Sequence, residues 1–300
     1  MMFVYDMTSP KFYLTPIGVI VGTFSIIVNS QLLLSIVSNK ELRVRRELTF
    51  FFYRIAIDIL VSLTTVTQLV LVYLKYWYVD VYSVFNIYFI ISVPLANYSV
   101  MDARSLMTTL IALDRAVAVY YPVQFLLLHQ SIPSTYVLLI SSVLGAIDQF
   151  VLYVPCDQTV IVQKTCRQYG CVSNPCSRLY QSLLKAFLFS WTAVFGVLLS
   201  VKVIRMSKKH RQSKSLKKLN EVTLYELVVV LVLECIPTIL MSIPSLASTI
   251  FAVDTVGPVI QQTTMMSAFI NGLIFRSLIK NSTAEPKALR RSTQSVVVRF

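Results

Sequence analysis

Apolar residues in this chain gather into blocks about as long as a hydrocarbon bilayer is thick, and a water-soluble fold has little use for such blocks. A helix needs about 20 predominantly apolar residues to cross the bilayer core. Runs of that kind fall at about 14–38, 48–74, 84–111, 134–154, 183–205, 222–250 and 256–280. Within them apolar residues follow one another without the period of two that marks barrel strands. In lipid, a continuous apolar run satisfies its own backbone only as a helix. The expected fold class is therefore all-α membrane protein, a bundle of seven transmembrane helices. Of 300 residues, 56% are hydrophobic and only 14% charged, against roughly 25% charged in soluble domains. The mean hydropathy of +0.69 points the same way. Seven spans within 14–280 leave a short N-terminus at 1–13, one long loop at 155–182 and a tail at 281–300. The N-terminus lacks a basic region and a cleavage site, so the first block reads as a retained signal anchor. The tail, rich in Ser, Thr and Arg, is expected to be disordered.

The net charge of +13 would raise the question of nucleic acid in a soluble protein, but here the basic residues sort by side. With the N-terminus outside, twenty fall on the cytoplasmic side: Lys40 to Arg46, Arg54, Arg115, Lys202 to Lys218, and Arg276 to Arg299. Six fall outside: Lys11, Lys75, Lys164, Arg167, Arg178 and Lys185. That asymmetry over short loops sets an odd number of spans with the carboxyl tail inside. No nucleic-acid partner is expected. The segment Lys202 to Lys218 reads as a stop-transfer stretch facing anionic membrane lipids, either alone or with a signalling protein as a further partner. Two sequons, at Asn97 and Asn281, fall in a span and in the inner tail, so neither should carry glycan.

Four of the five cysteines, Cys156, Cys166, Cys171 and Cys176, lie in the loop that this topology places outside, where disulfides persist. Two internal bridges are expected, with three pairings open. Zinc is the competing reading, weakened by the lack of a CxxC knuckle and of a nearby histidine. No metal or cofactor is expected. Cys235, in the sixth span, reads as apolar filler.

Ionisable groups inside spans are costly, so those present are paired or functional. Asn29, Asp58, Asp102, Arg104, Asp148, Glu226 and Glu234 need an explanation. At 100° per residue, Asn97, Met101, Arg104, Thr108, Ile111 and Arg115 fall within about 40° of one azimuth of the third span, and that face should point into the bundle. Asp102 lies about 140° away and must find another neighbour or be protonated. Arg104 at mid-depth needs an anion, and Asp58, halfway along the second span, is the expected partner. Asn29 is expected to join them, making a polar cluster that ties three helices. Such a cluster is either structural glue or a bistable element that rearranges on switching.

At the inner end of the third span stands Ala112-Leu113-Asp114-Arg115-Ala116-Val117-Ala118-Val119-Tyr120-Tyr121-Pro122, which resembles the DRY-type motif and following proline of rhodopsin-like G-protein-coupled receptors. Asn29, Asp58 and Pro237 look like further helix markers of that family. The resemblance implies that Asp114 and Arg115 serve G-protein coupling, with Glu221 or Glu226 as the resting partner of Arg115. Departures are present. Before Pro237 the sequence reads Glu234-Cys235-Ile236, without the aromatic switch residue. The seventh span keeps Asn271 of NPxxY but loses the proline and tyrosine, and the outer end of the third span has no cysteine. With Gly170-Cys171-Val172-Ser173-Asn174-Pro175-Cys176 and Asp102-Ala103-Arg104-Ser105, the chain is most similar to nematode chemosensory serpentine receptors, class BC.

The resemblance implies a GPCR-like bundle, plasma-membrane or ciliary in a sensory neuron, that binds a small environmental chemical outside and activates a heterotrimeric G protein inside. Asn97, Met101, Trp191, Met241 and Gln262 are the ligand candidates. Neutral Asn97 argues against a cationic amine. A transporter is the first rival, with Asp58, Arg104 and Glu234 as an ion path, but matching broken helices are missing. A ligand-gated channel of the insect type would have its N-terminus inside. Enzyme activity is not expected. The only histidines, His129 and His210, lie away from any intramembrane nucleophile, and Asp58 and Asp102 lack the context of an aspartyl pair.

Overall fold

A computed structural model describes residues 11–39, 49–78, 85–125, 135–156, 175–207, 214–242 and 259–297. All the regular structure among them is helical. In chain order the helices are α1 (Lys11–Ser38), α2 (Thr49–Trp77), α3 (Ile87–Tyr120), α4 (Thr135–Tyr153), α5 (Pro175–Ser207), α6 and α7 (Val259–Val297). The sixth, α6, is composite: Lys214–Val230, a π turn at Leu231–Cys235, then Ile236–Ser242.

Local chemistry sets several ends. Asn86 caps α3 by accepting the Tyr88 backbone N–H at 2.9 Å. The other end of α3 runs on past the apolar block to Tyr120, and Pro122 stops it by forcing the preceding residue out of the helical region. Tyr121 sits accordingly at φ −130°, ψ 63°. The fifth helix starts at Pro175, eight residues before the apolar run, because proline is pre-organised for a first helical position. Lys185, counted above among the outer basic residues, is therefore inside α5 and buried. Residues 243–258, which hold the expected outer end of the sixth span, lie outside the described residues. The tail departs from expectation: instead of disorder, α7 continues as helix to Val297. No glycine follows Gly272 to end it, and the helix runs through Pro286 into Lys287-Ala288-Leu289-Arg290-Arg291, all good helix formers.

Helix α3 lies at the centre, packed against α2, α4, α5 and α6, while α7 closes the ring against α1, α2 and α6. That is why both faces of α3 are buried. The inner half is held by Leu32, Ile36, Phe51, Ile55, Ile111, Val222 and Phe275, with Phe51 and Phe275 stacked at 5.0 Å. Large apolar side chains such as Phe24, Leu34, Leu63 and Val197 point outward, the arrangement that lipid requires of a bundle's outer surface. Among the described residues, four stretches, Leu14–Ser38, Thr49–Leu74, Leu179–Arg205 and Asn220–Leu240, are long and apolar enough on their own to cross a membrane. Helix α3 is diluted by Asp102, Arg104, Asp114 and Arg115.

Two glycines allow close approach. A Cβ on Gly22 of α1 would run into Val66 of α2 and Met265 of α7. One on Gly272 of α7 would stand 2.6 Å from Asn29 Oδ1.

Candidate functional site

The inward azimuth of α3 carries Asn97, Met101, Arg104, Thr108, Ile111 and Arg115, each at most 2% exposed. Arg104 is the hub. Its Nε donates to Asp58 Oδ1 of α2 at 2.5 Å, Nη1 pairs with Glu234 of α6, and Nη2 donates to Ser267 Oγ of α7 at 3.1 Å. One guanidinium thereby joins α2, α3, α6 and α7 in the middle of the bundle. Its planar fork of donors suits several partners at once, which a lysine could not match.

Toward the inner side lies a second guanidinium. Arg54 of α2 donates from Nε to Asp58 Oδ1 at 3.1 Å, one helical turn away. Its Nη1 donates to Thr108 Oγ1 of α3 and lies 3.6 Å from Glu226 Oε1 of α6. Two guanidinium groups and three carboxylates therefore form one buried network, and α6 enters it twice. A small cavity beside it, between α2, α6 and α7, is lined by Arg54, Asp58, Glu226, Asn271 and Phe275. Arg54 Nη2 and both polar atoms of Asn271 are buried without a hydrogen-bond partner among the described residues.

Asn29 does not touch Arg104 or Asp58 through its side chain. It donates to Ser25 O at 3.0 Å and to Ala268 O of α7 at 3.4 Å. A relay links it to the network: Asn29 donates to Ser25 Oγ at 3.3 Å, Ser25 and Ser62 share a hydrogen bond at 2.8 Å, and Ser62 donates to the Asp58 carbonyl. Asn29 is too short to span from α1 to the centre.

Arg115 is 1% exposed at the inner end of α3. Its Nε donates to Asp114 Oδ2 at 3.0 Å, and its guanidinium carbon lies 5.7 Å from the Phe125 ring centroid. The expected link to Glu226 is corrected: Glu226 faces Arg54, because Arg54 reaches α6 at that depth. Glu221 is half-buried, five residues nearer the start of α6. Pro237 is the second residue after the π turn that presents Glu234.

At the other end of the bundle, Cys156 and Cys176 are disulfide-bonded, 20 residues apart, and fasten the end of α4 to the start of α5. Cys166 and Cys171 lie outside the described residues.

A family model, that of the serpentine type 7TM GPCR chemoreceptor Srbc, matches residues 7–283, which takes in all seven spans. The chain belongs to this family of nematode chemoreceptors. Among curated proteins none matches it. An Srbc chain is thus a multi-pass membrane protein of the serpentine receptor kind, with the seven-helix GPCR-like architecture expected of the apolar blocks.

Within this Srbc bundle the ligand candidates scatter. Asn97 bridges α3 to α2, donating to Gln68 Oε1 at 3.0 Å and accepting from Thr64 at 2.8 Å. Met101 packs with Ile57, Val61 and Met107. Trp191 is 44% exposed and stacks on Phe195 at 5.4 Å, with Phe187 flanking it on the outward face of α5. Gln262 sits beside Gly18 of α1. Met241 lies on α6, its side chain outside the described residues. Among the described side chains, Asn97, Met101, Trp191 and Gln262 do not share one cavity with a common lining.

Sequence reasoning missed Arg54, Ser267 and the pairing of Arg104 with Glu234. Arg54 was read only as a topology charge, although its spacing of four from Asp58 on one helix face was a visible signal. Glu234 stood out as an intramembrane charge, but its azimuth depends on the π turn.

Proposed function

We propose that this receptor binds a small environmental chemical from the outer side and activates a heterotrimeric G protein at the inner ends of its helices. The plasma membrane of a sensory cell, its cilium included, is the setting. The observation that carries this reading is the Arg104 hub, where one buried cation holds α2, α6 and α7 against α3. A ligand shifts a receptor between packings only by binding one of them better. A hub that joins four helices makes the difference between packings large and discrete. Arg115, buried beside Asp114 and Phe125 at the inner end, is the residue that the moving helices would uncover for the G protein.

Nucleotide exchange by a purified heterotrimer, with the receptor in lipid nanodiscs, tests this. Glu234→Gln keeps the shape of the side chain but removes its charge. It is expected to raise basal exchange about ten-fold, the equivalent of about 1.4 kcal/mol in the balance of states. Arg115→Ala is expected to abolish exchange while surface expression persists. Exchange undiminished in Arg115→Ala would overturn the coupling role.

A further inference from the structure

A second set of charged groups lies in the outer part of the bundle, between α3, α4 and α5, and the Arg104 network does not use it. Asp102 of α3 and Asp148 of α4 are both fully buried, and Lys185 of α5 is 5% exposed. Asp148 Oδ2 accepts from Ser99 Oγ at 3.2 Å. The other oxygen of Asp148 and both oxygens of Asp102 are buried with no hydrogen-bond partner among the described residues. Lys185 holds its ammonium 5.6 Å from the centroid of the Tyr98 ring and makes no ion pair within 4 Å among the described residues. It lies within electrostatic reach of both carboxylates.

Among the described side chains, the other groups facing the set are neutral. Half-buried Tyr180, on the outer side of Lys185 in α5, is near both carboxylates, and the Tyr98 hydroxyl accepts from Gln261 of α7 at 3.0 Å. Arg104 is two residues from Asp102, about 200° around α3, and is engaged by Asp58, Glu234 and Ser267. Two carboxylates thus share one ammonium. Fully ionised, the set would leave a net negative charge with bare carboxylate oxygens in the bundle interior, a cost far above that of neutralising one group.

We propose that Asp102, Asp148 and Lys185 form a proton-binding site that holds one proton on its two carboxylates, taken up from the outer medium. The proton becomes the O–H of a carboxylic acid, and the remaining carboxylate balances Lys185. Asp148 is five residues from the end of α4, just below the Cys156–Cys176 bridge, so the site is nearer to the outer surface than to the inner one. The inference stands apart from G-protein coupling and from the environmental ligand.

Infrared difference spectroscopy on the full chain in sealed proteoliposomes, its outer face toward the bath and the lumen buffered, tests it, reading the carbonyl stretch of a protonated carboxylic acid and its shift in D2O. The expected result is an acid band that wild type loses reversibly as the outer pH is raised. Asp102→Asn and Asp148→Asn each leave one carboxylate for one ammonium, so the wild-type-minus-variant spectrum should contain that band. Loss in only one variant assigns the proton to that carboxylate. Lys185→Met should keep it. An acid band unchanged in both Asn variants overturns the proposal. If those variants fail to fold, a wild-type acid band that is indifferent to outer pH overturns it equally.

Discussion

Arg104 is the residue on which the interior of this receptor depends, and its partners decide what its loss would do. Removing one member of a buried ion pair costs about 3–5 kcal/mol, because the other charge is left without compensation. Arg104→Met is therefore expected to lower the melting temperature of the purified receptor steeply. The double variant Arg104→Met with Glu234→Leu removes a charge of each sign and leaves Asp58 to Arg54, whose Nε lies 3.1 Å away. It should recover most of the loss, and thermal unfolding of the single and double variants side by side checks this. A double variant no more stable than the single one would count against the hub. That Arg104 needs an anion was legible from its depth in an apolar run. The second anion was not, because a sequence gives the number of charges in a helix but not the azimuth at which an irregular helix delivers them.

At the scale of elements, the irregularity of α6 is the feature that most affects the site. In the π turn, the Ile236 N–H bonds to Leu231 O rather than to the carbonyl four residues back. Pro237, the next residue, has no N–H, and its ring would crowd the carbonyl of Leu233 in a regular helix. The wider turn relieves that contact, and π turns of this kind gather at functional sites. Pro237→Ala is expected to let the turn relax to α. Such a change moves one side of the helix by about 100° against the other and draws Glu234 from Arg104. Its effect and that of Glu234→Gln on basal exchange should then fail to add, as for groups in one network. Strictly additive effects would separate the turn from the ion pair. Helix existence was readable from apolar runs alone, whereas ends such as Pro175 and Tyr120 were set by proline and capping chemistry outside those runs. The tail misled because Ser, Thr and Arg suggest disorder by composition, while the helix continues past Pro286 into Lys287-Ala288-Leu289-Arg290-Arg291.

For the whole molecule, the number of spans and their direction could be read from hydrocarbon-length blocks and from the placement of Lys and Arg, and the family match over residues 7–283 agrees with that architecture. The chemistry of the site was only half legible: residues on one regular face of α3 could be grouped from their spacing, but contacts between helices, such as those of Arg54 and Ser267, depend on how seven elements pack. We propose that the Arg104 hub holds α6 against α3 in the resting receptor. Double electron–electron resonance between spin labels at Val123 and Tyr225, 70% and 64% exposed near the inner ends of α3 and α6, measures it directly once Cys235, the free cysteine among the described residues, is replaced. Glu234→Gln is expected to add a longer-distance population that wild type lacks without ligand. Identical distance distributions in the two proteins would contradict the account.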